Sequence, residues 1–258
     1  MIINNNISAI NTRNQLYVTN SAAAKSMEKL SSGKRINRAA DDAAGLSISE
    51  KMRAQIRGIL QAARNAQDGI SLIQTAEGAL DEVSNMLVRL KELAVQYMNG
   101  TYNSDDKTNL KLEMDQLNAE IKNIFTNTKF NGKGALTSSF AIVISDTGTV
   151  LTVNATSGTS ITDISTTNIT SISVIETAIT KVNSARATYG SLQNRLESTV
   201  RNLKTTAENL QAAESRIRDA DMAEEMSNFT KYNILVQAGT AMLAQANQSP
   251  QNVLSLLR

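Results

Sequence analysis

The sequence predicts a mainly α-helical protein: a long antiparallel helical bundle or coiled coil with a small β-hairpin at its distal end. The chain of 258 residues contains one proline and twelve glycines. Since proline costs about 3 kcal/mol inside a helix, its scarcity permits long helices. Aromatic residues make up only 3% of the chain, and apolar residues recur every three or four positions over two long stretches. These patterns are typical of helices packed closely through small and aliphatic side chains.

The first long stretch covers residues 45–98. Its apolar positions are spaced alternately three and four residues apart, which is the heptad pattern of a coiled coil, and only Gln55 and Gly69 are weak members. Asn99 and Gly100 follow, and this pair favours the end of a helix. The seam consists of Ile48, Met52, Gln55, Ile59, Ala62, Ala66, Gly69, Ile73, Ala76, Leu80, Val83, Leu87, Leu90, Ala94 and Tyr97.

A second helix is predicted to begin at Ser104, whose hydroxyl would cap its first amides. Asp105 and Asp106 then lie in the first turn, where the helix dipole favours acidic side chains. Asn131 and Gly132 mark the turn out of this helix. Its apolar seam consists of Leu110, Met114, Leu117, Ile121 and Ile124.

The composition changes at about residue 138. Two short apolar runs, residues 140–144 and 150–153, flank a loop with a glycine and predict a β-hairpin at about 138–155. Residues 154–173 are rich in threonine and serine and are expected to be irregular. We expect this region to be the only non-helical part of the chain and its exposed tip.

Helical spacing returns at about Val174 and forms a second long seam. A further helical segment covers residues 222–247, and Ser249 with Pro250 predicts the capped start of a last short helix. The second seam consists of Val182, Ala185, Tyr189, Leu192, Leu196, Thr199, Leu203, Thr206, Leu210, Ala213, Ile217 and Ala220.

The two long seams are similar in length and are expected to pack on each other. Residues 1–40 and 222–258 would then meet, and each carries an apolar stripe that two isolated helices cannot bury completely. Such ends would be marginally stable alone and would need neighbouring molecules. The sequence therefore predicts a self-assembling structural protein.

Composition argues against an enzyme. The chain has no histidine and no cysteine, so it lacks the usual acid–base group, the thiol nucleophile and the commonest transition-metal ligands. We expect no catalytic residue, no cofactor and no metal. The adjacent carboxylates at 41–42 and 224–225 would point apart on a helix, and we interpret them as charges at breaks between helical segments.

Nucleic acid and membranes are not expected partners. The basic residues among the first 40 are interpreted as a solvated helix face. No apolar run approaches the roughly 20 residues of a membrane span. The first eight residues lack the features of a cleaved secretory signal, so the chain is expected to stay in the cytoplasm or to leave it by another route.

Five segments, in order and at both ends of the chain, resemble those of bacterial flagellin. They are IINNNISAINT at residues 2–12, LSSGKRIN with AADDAAGL at 30–46, LKELAVQ at 90–96, RIRDADMAEE at 216–225 and ANQSPQNVL at 246–254. The resemblance implies a secreted, extracellular subunit of the flagellar filament, exported unfolded through the flagellar type III export apparatus. It also implies polymerisation of the chain with itself and, as partners, a flagellar cap protein, a hook–filament junction protein and an export chaperone.

The resemblance divides the chain into an inner terminal coiled-coil domain, residues 1–43 plus 222–258, and an outer helical domain, residues 44–221, with the hairpin. Because the stretch between the long helices is short, we expect a minimal form that lacks large variable outer domains. The candidate residues for polymerisation in the inner core are Ile3, Ile7, Ile10, Leu16, Leu30, Leu235, Leu243, Val253, Leu254 and Leu256.

The flagellin family also carries a segment recognised by Toll-like receptor five. By residue match, this segment falls on Arg89, Leu93 and Glu113. Arg89 and Leu93 are four residues apart, and we expect both to lie beside the apolar seam and not in it. The alternative is that Leu93 packs against the second helix and Arg89 is merely solvated.

Two other functions fit the sequence less well. A hook–filament junction protein shares flagellin-like ends, but the asparagine-rich start and the ANQSPQ ending favour flagellin itself. A secreted, membrane-active coiled-coil effector is disfavoured by the absence of tryptophan and by the resemblance at both ends.

Overall fold

A computed structural model describes residues 6–154 and 169–256, with side chains described through residue 248. In these residues the chain forms helices α1 (Ile7–Ser32), α2 (Ala43–Met98), α3 (Ser104–Asn127), α4 (Ile172–Arg218) and α5 (Met222–Leu256). Strand β1 (Lys129–Phe130) pairs with β2 (Lys133–Gly134), and β3 (Phe140–Val143) pairs with β4 (Val150–Val153), both antiparallel. The mainly α-helical fold with a β-hairpin is confirmed.

The chain divides into two compact units. The terminal unit comprises Met1–Ala54 and Asn209–Arg258, and the central unit comprises Gln55–Glu208. These limits differ from the division at 43/44 and 221/222 that the resemblance implies. The two divisions rest on different criteria, compact packing and position in a filament, so the inner and outer domains stay a prediction.

In the central unit, α2 packs antiparallel to both α3 and α4. Ion pairs mark the register: Arg89 to Glu113 at 2.9 Å joins α2 to α3, and Arg186 to Asp81 at 3.0 Å joins α4 to α2. The seam of α2 supplies the core, in which Leu80, Val83, Leu87 and Leu90 are fully buried. The predicted packing of the two long seams is therefore confirmed within this unit.

The buried face of α2 is wider than a single heptad seam. Residues outside the predicted seam, among them Ile56, Ala63, Leu72 and Leu93, are also buried. Gln55, a predicted member, is exposed. A helix that contacts several neighbours at once needs a broad apolar stripe, and a two-stranded coiled coil needs only a narrow one.

The start of α3 differs from the prediction by one residue. The cap is Asn103, whose side-chain oxygen accepts a hydrogen bond of 2.8 Å from the amide of Asp106. Ser104 is the first helical residue. Asparagine caps helices as well as serine does, and Asn103 has the extended backbone that a cap requires. Asp105 and Asp106 lie in the first turn, as predicted.

The expectation that residues from about 138 onward are the only non-helical part is wrong. The β1–β2 pair precedes them and turns through Asn131 and Gly132, whose φ angles are 48° and 79°. Two consecutive positive φ values define the type I′ turn that closes tight hairpins, and Asn-Gly is its preferred sequence. Each strand has only two residues, which is too short for the alternating apolar pattern that would predict a strand.

Two glycines of α2 allow the β3–β4 hairpin to pack closely against the helix. A Cβ atom at Gly69 would overlap the side chain of Ile142, and one at Gly58 would lie 3.0 Å from Cβ of Asp146. Between them, the side-chain amide of Asn65 donates to the carbonyl of Val143 at 3.3 Å. The absent Cβ atoms therefore let the hairpin lie directly on the helix.

The predicted helix break at Ser249 and Pro250 is wrong, because α5 is continuous from Met222 to Leu256. Proline removes the helical donor only for the carbonyl four residues earlier, which here belongs to Ala246. That carbonyl accepts a hydrogen bond of 2.7 Å from the side-chain amide of Asn6. The threonine- and serine-rich stretch, predicted to be irregular, lies mostly outside the described residues.

Candidate functional site

Helices α1 and α5 of the terminal unit form an antiparallel pair, called here the terminal helix pair. Asn6 contacts Ala246 at one end, and Lys29 lies 4.0 Å from Glu225 at the other. Between these ends, Leu16 approaches Gly239 so closely that a Cβ there would lie 3.1 Å from its side chain. Small residues at the contact bring the two helices close together.

Apolar side chains of the terminal helix pair lie mostly on its outside. The buried residues of α1 are the polar Thr19 and Ser26, and the hydroxyl of Thr19 bonds the carbonyl of Gln15 within the same helix. The exposed large apolar side chains are Ile7, Ile10, Tyr17, Val18 and Met27 on α1, and Met222, Met226, Ile234, Leu235 and Met242 on α5. Exposed apolar surface of this kind is typical of interaction sites.

The loops that precede α2 and α5 are joined in the terminal unit. Lys34 and Asp219 form an antiparallel bridge, flanked by a hydrogen bond of 2.7 Å from the amide of Arg35 to the carbonyl of Arg218. The guanidinium of Arg218 donates a short hydrogen bond to the carboxylate of Glu50. We call this contact the loop bridge. It fixes the points where α1 ends and α5 begins.

Two carboxylates beside the loop bridge, those of Glu28 and Asp41, have lowered pKa values. Glu28 accepts hydrogen bonds from Arg38 at 2.8 Å and Asn37 at 2.6 Å, and these bonds, that of Arg38 first, lower the pKa of Glu28 below its ordinary value of 4.5. Asp41 accepts from the backbone amides of Arg38 and Asn37, which lower its pKa below 3.8. Asp42 bonds the amide of Gly45 at the start of α2. These groups organise helix ends.

The central unit contains a second cluster of predicted site residues. Arg89 donates through Nη2 to Glu113 at 2.9 Å and through Nη1 to Glu92 at 3.2 Å. Glu113 is the larger cause, and Glu92 the next, of a pKa of Arg89 raised above its ordinary value. Leu93, one turn further along α2, is only 1% exposed and belongs to the core.

Comparison with known proteins decides the family. The N-terminal helical region of bacterial flagellin matches residues 3–141, and its C-terminal helical region matches residues 172–257. The chain belongs to the bacterial flagellin family. It is 50% identical to a flagellin of Halalkalibacterium halodurans and 48% identical to the flagellar filament 31.3 kDa core protein of Treponema maltophilum, in both cases over all of each chain. The crystal structure of Bacillus cereus flagellin is 37% identical, with 58% of this chain and 94% of that chain covered and a TM-score of 0.49.

As a flagellin, the protein is a structural subunit that polymerises with itself into the extracellular flagellar filament and serves motility. It is not an enzyme. The predictions of a filament subunit and of a non-enzymatic protein are confirmed. None of the helices in the described residues is long and apolar enough to span a membrane.

The flagellin residues predicted for polymerisation fall into three groups. Ile7, Ile10 and Leu235 are exposed. Leu16, Leu30 and Leu243 are half-buried. For the remaining four, the side chains are not among those described. Ile3 precedes the described residues, and Val253, Leu254 and Leu256 follow residue 248, the last with a described side chain. Their role in polymerisation stays a prediction.

The receptor-recognition residues are only partly brought together at the surface of this flagellin. Arg89 and Glu113 are paired and accessible, whereas the expectation that Leu93 lies beside the seam is wrong. Leu93 is buried because α2 packs on more than one neighbour. Contact of these three residues with the receptor stays a prediction.

Sequence reasoning did not identify several exposed apolar residues of the terminal helix pair. Seam patterns select the side chains that meet inside a helix pair, and residues on the outer side fall between the seam positions. A search for large apolar residues off the seam would have found them. They are Tyr17, Val18, Met27, Ile234 and Met242.

Proposed function

We propose that the terminal helix pair is the surface through which copies of this flagellin polymerise. On this proposal, residues 1–43 plus 222–258 form the inner domain of the subunit, and residues 44–221 form the outer domain. The observation that carries it is the reversed burial of α1, where Thr19 and Ser26 are buried while Ile7 and Tyr17 are exposed.

The exposed surface suits a second copy of the same chain. Burying apolar area contributes about 25 cal/mol per Å² removed from water, so a row of isoleucine, leucine and methionine side chains favours association. The formal net charge of the chain is only +2, and copies of it therefore repel each other weakly. Most helical stability in proteins comes from tertiary packing, and neighbouring copies would supply that packing to the outer faces of α1 and α5.

A matched pair of substitutions tests the polymerisation surface. Leu235 on α5 and Val150 on β4 are 45% and 46% exposed. We expect Leu235→Ser to reduce the yield of seeded filaments at least tenfold and Val150→Ser to leave it near that of the wild type, as measured by sedimentation and electron microscopy. Equal yields for the two variants would contradict the proposal.

We propose that the export chaperone binds α5 before assembly. This helix exposes Met222, Met226 and Met242 together with Ile234, and flexible methionines suit a surface that must fit more than one partner. Ile234→Ser is expected to weaken binding of the full chain to the purified chaperone about tenfold or more, whereas Val150→Ser should not change it. Unchanged binding of Ile234→Ser in calorimetry would exclude this surface.

We further propose that the chain is exported through the type III apparatus. The filament then grows beneath the cap protein, on a base of hook–filament junction proteins. A chain without cysteine and with one proline has no disulfide to reduce and few slow isomerisation steps when it refolds. In a strain that lacks flagellin, expression of this chain should grow filaments that disappear when the cap or junction protein is deleted. A chain that instead served as a junction protein would not grow filaments by itself.

We also propose that Arg89 and Glu113 form the contact for Toll-like receptor five, with Leu93 supporting the helix from below. The paired side chains present a positive and a negative group on neighbouring helices. Arg89→Ala is expected to reduce signalling in a receptor-reporter assay. Arg186→Ala, which removes an ion pair of similar length with Asp81 on the same helix α2, serves as the control. Unchanged signalling by Arg89→Ala would contradict the assignment.

A further inference from the structure

Asn6 uses both ends of its side-chain amide. Its oxygen accepts a hydrogen bond of 3.1 Å from the amide of Ala9 and caps α1. Its nitrogen donates at 2.7 Å to the carbonyl of Ala246 on α5. One side chain therefore both starts the first helix and attaches it to the last one.

The carbonyl of Ala246, although inside α5, lacks the donor that a helix normally provides. In a helix, each carbonyl accepts from the amide four residues later. For Ala246 that residue is Pro250, which lies within α5 and has no amide hydrogen. Since the chain has one proline, no other helical carbonyl loses its partner in this way.

We propose that Asn6 is a positioning residue that sets the register of α1 on α5 by filling the carbonyl left open by Pro250. Capping needs an acceptor and the open carbonyl needs a donor, and the asparagine amide has both. Aspartate would cap equally well, but it offers only acceptors and would place a negative charge beside a carbonyl oxygen. If α1 slid along α5 by one turn, Asn6 would meet a carbonyl that is already bonded within the helix.

A second contact fits the same register. The side chain of Leu16 lies against Gly239, where a larger residue would be crowded. Asn6 supplies a polar, directional contact at the end of the terminal helix pair. Leu16 packs into the space beside Gly239, closer to the middle of the pair. The register determines which exposed residues of α1 lie beside those of α5. Its consequence for filaments rests on the proposed polymerisation surface, but the register itself does not.

A cycle of four proteins tests the role of Asn6: wild type, Asn6→Asp, Pro250→Ala and the double variant. Asn6→Asp keeps the cap and removes the donor, and Pro250→Ala restores a helical donor to Ala246. When filaments are heated, Asn6→Asp should lower the midpoint temperature of depolymerisation if Pro250 is present. At least half of that decrease should vanish when Asn6→Asp is combined with Pro250→Ala. Equal decreases with and without the proline would contradict the proposal.

Helix register can be measured directly, as a distance between α1 and α5 within one subunit. Because the chain has no cysteine, Lys25→Cys and Thr240→Cys give two spin-label sites at exposed positions of α1 and α5. The labelled subunits are assembled with a large excess of unlabelled wild type. We expect one narrow distance distribution for the protein with Asn6 and a shifted or broadened one for Asn6→Asp. A distribution unchanged by Asn6→Asp would overturn the register role.

The controls separate this inference from the proposed function. Asn14→Asp makes the same chemical change at an exposed position of α1 and should leave both the midpoint and the distance unchanged. If Leu235→Ser filaments formed normally, the polymerisation surface would be wrong while the spin-label distance still tested Asn6. If Asn6→Asp subunits failed to join filaments, their rescue by Pro250→Ala would support the inference, and no rescue would contradict it.

Discussion

In the central unit, Leu80, Val83, Leu87 and Leu90 are fully buried in a core that α3 and α4 complete, whereas the terminal helix pair leaves residues such as Tyr17 and Ile234 in solvent. Both regions are helical and both contain aliphatic residues at helical spacing. They differ in the number of neighbours. A helix with two or three partners can cover a broad apolar surface, and a helix with one partner can cover only a narrow stripe.

This difference in burial gives one chain a covered central core and, at the terminal helix pair, an apolar surface that the partner helix does not cover. The central unit contains the shared core that makes folding of a single subunit favourable. The terminal helix pair is held by small contact residues and by polar contacts at its ends, including the bond from Asn6 to Ala246. Its remaining apolar surface is available to other subunits.

The largest expected effect tests the difference in burial directly. Leu80→Ala in the core should reduce the free energy of unfolding of the subunit by about 2–5 kcal/mol, because it leaves a cavity. Leu235→Ala, which is 45% exposed, should change it by less than about 0.5 kcal/mol. Urea unfolding followed by circular dichroism measures both. A cost for Leu235→Ala as large as that for Leu80→Ala would show that the terminal pair is already complete in the subunit.

Glycines of α2 test how tightly the hairpin belongs to the central core. Gly69→Ala would force Ile142, itself only 8% exposed, out of its position and should destabilise the subunit by about 1–3 kcal/mol. Gly78 is exposed and a Cβ there meets nothing within 4 Å. Gly78→Ala should therefore stabilise the subunit by up to about 1 kcal/mol through helix propensity. Stabilisation of the subunit by Gly69→Ala, as by Gly78→Ala, in thermal unfolding would exclude close packing of the hairpin at Gly69.

A smaller effect is expected at the start of α3. Asn103→Ala removes the hydrogen bond to the amide of Asp106 and should cost about 1 kcal/mol of subunit stability. Ser104→Ala should be nearly neutral, since Ser104 is already inside the helix. Neither variant should alter filament yield, because the change is confined to the central unit. A larger loss of stability for Ser104→Ala than for Asn103→Ala would show that Ser104 is the cap, as the sequence predicts.

Much of the fold could be predicted because helical periodicity records burial. The seams of α2 and α4 name most of the core, and the hairpin at 140–153 follows from two apolar runs around a glycine loop. Periodicity does not record how many neighbours a helix has. For that reason the sequence places Leu93 beside the seam, although the width of the contact buries it.

The candidate site was less predictable because it depends on contacts between residues far apart in the chain. A Ser-Pro pair normally starts a helix, whereas α5 continues through Pro250 and the distant Asn6 bonds the carbonyl that the proline leaves without a helical donor. The arrangement around Glu28 is similar, since it needs the α1–α2 loop to fold back on the helix. Local patterns do not contain these pairings.

The smallest expected difference between the two regions is in how their stability responds to acid. The pKa values of Glu28 and Asp41 in the terminal unit are held below their ordinary values of 4.5 and 3.8. A carboxyl group with a lowered folded-state pKa stabilises the fold fully above its unfolded pKa, and this contribution is lost as the pH falls through the folded pKa. The carboxylates beside the loop bridge should therefore lose their stabilising effect as the pH falls below about 4.5, whereas burial of the aliphatic side chains in the central core involves no titrating group.

Glu28→Gln isolates this contribution. The variant keeps an acceptor but loses the charge that attracts Arg38, so it should melt slightly lower than the wild type at neutral pH, and the difference should disappear as the pH falls well below the ordinary pKa of 4.5. Glu208→Gln is the control, because exposed Glu208 has no ion pair in the described part of the chain. Its difference from the wild type should be small at every pH. If the Glu28→Gln difference persisted unchanged in acid, the carboxylate charge would not be what stabilises this loop.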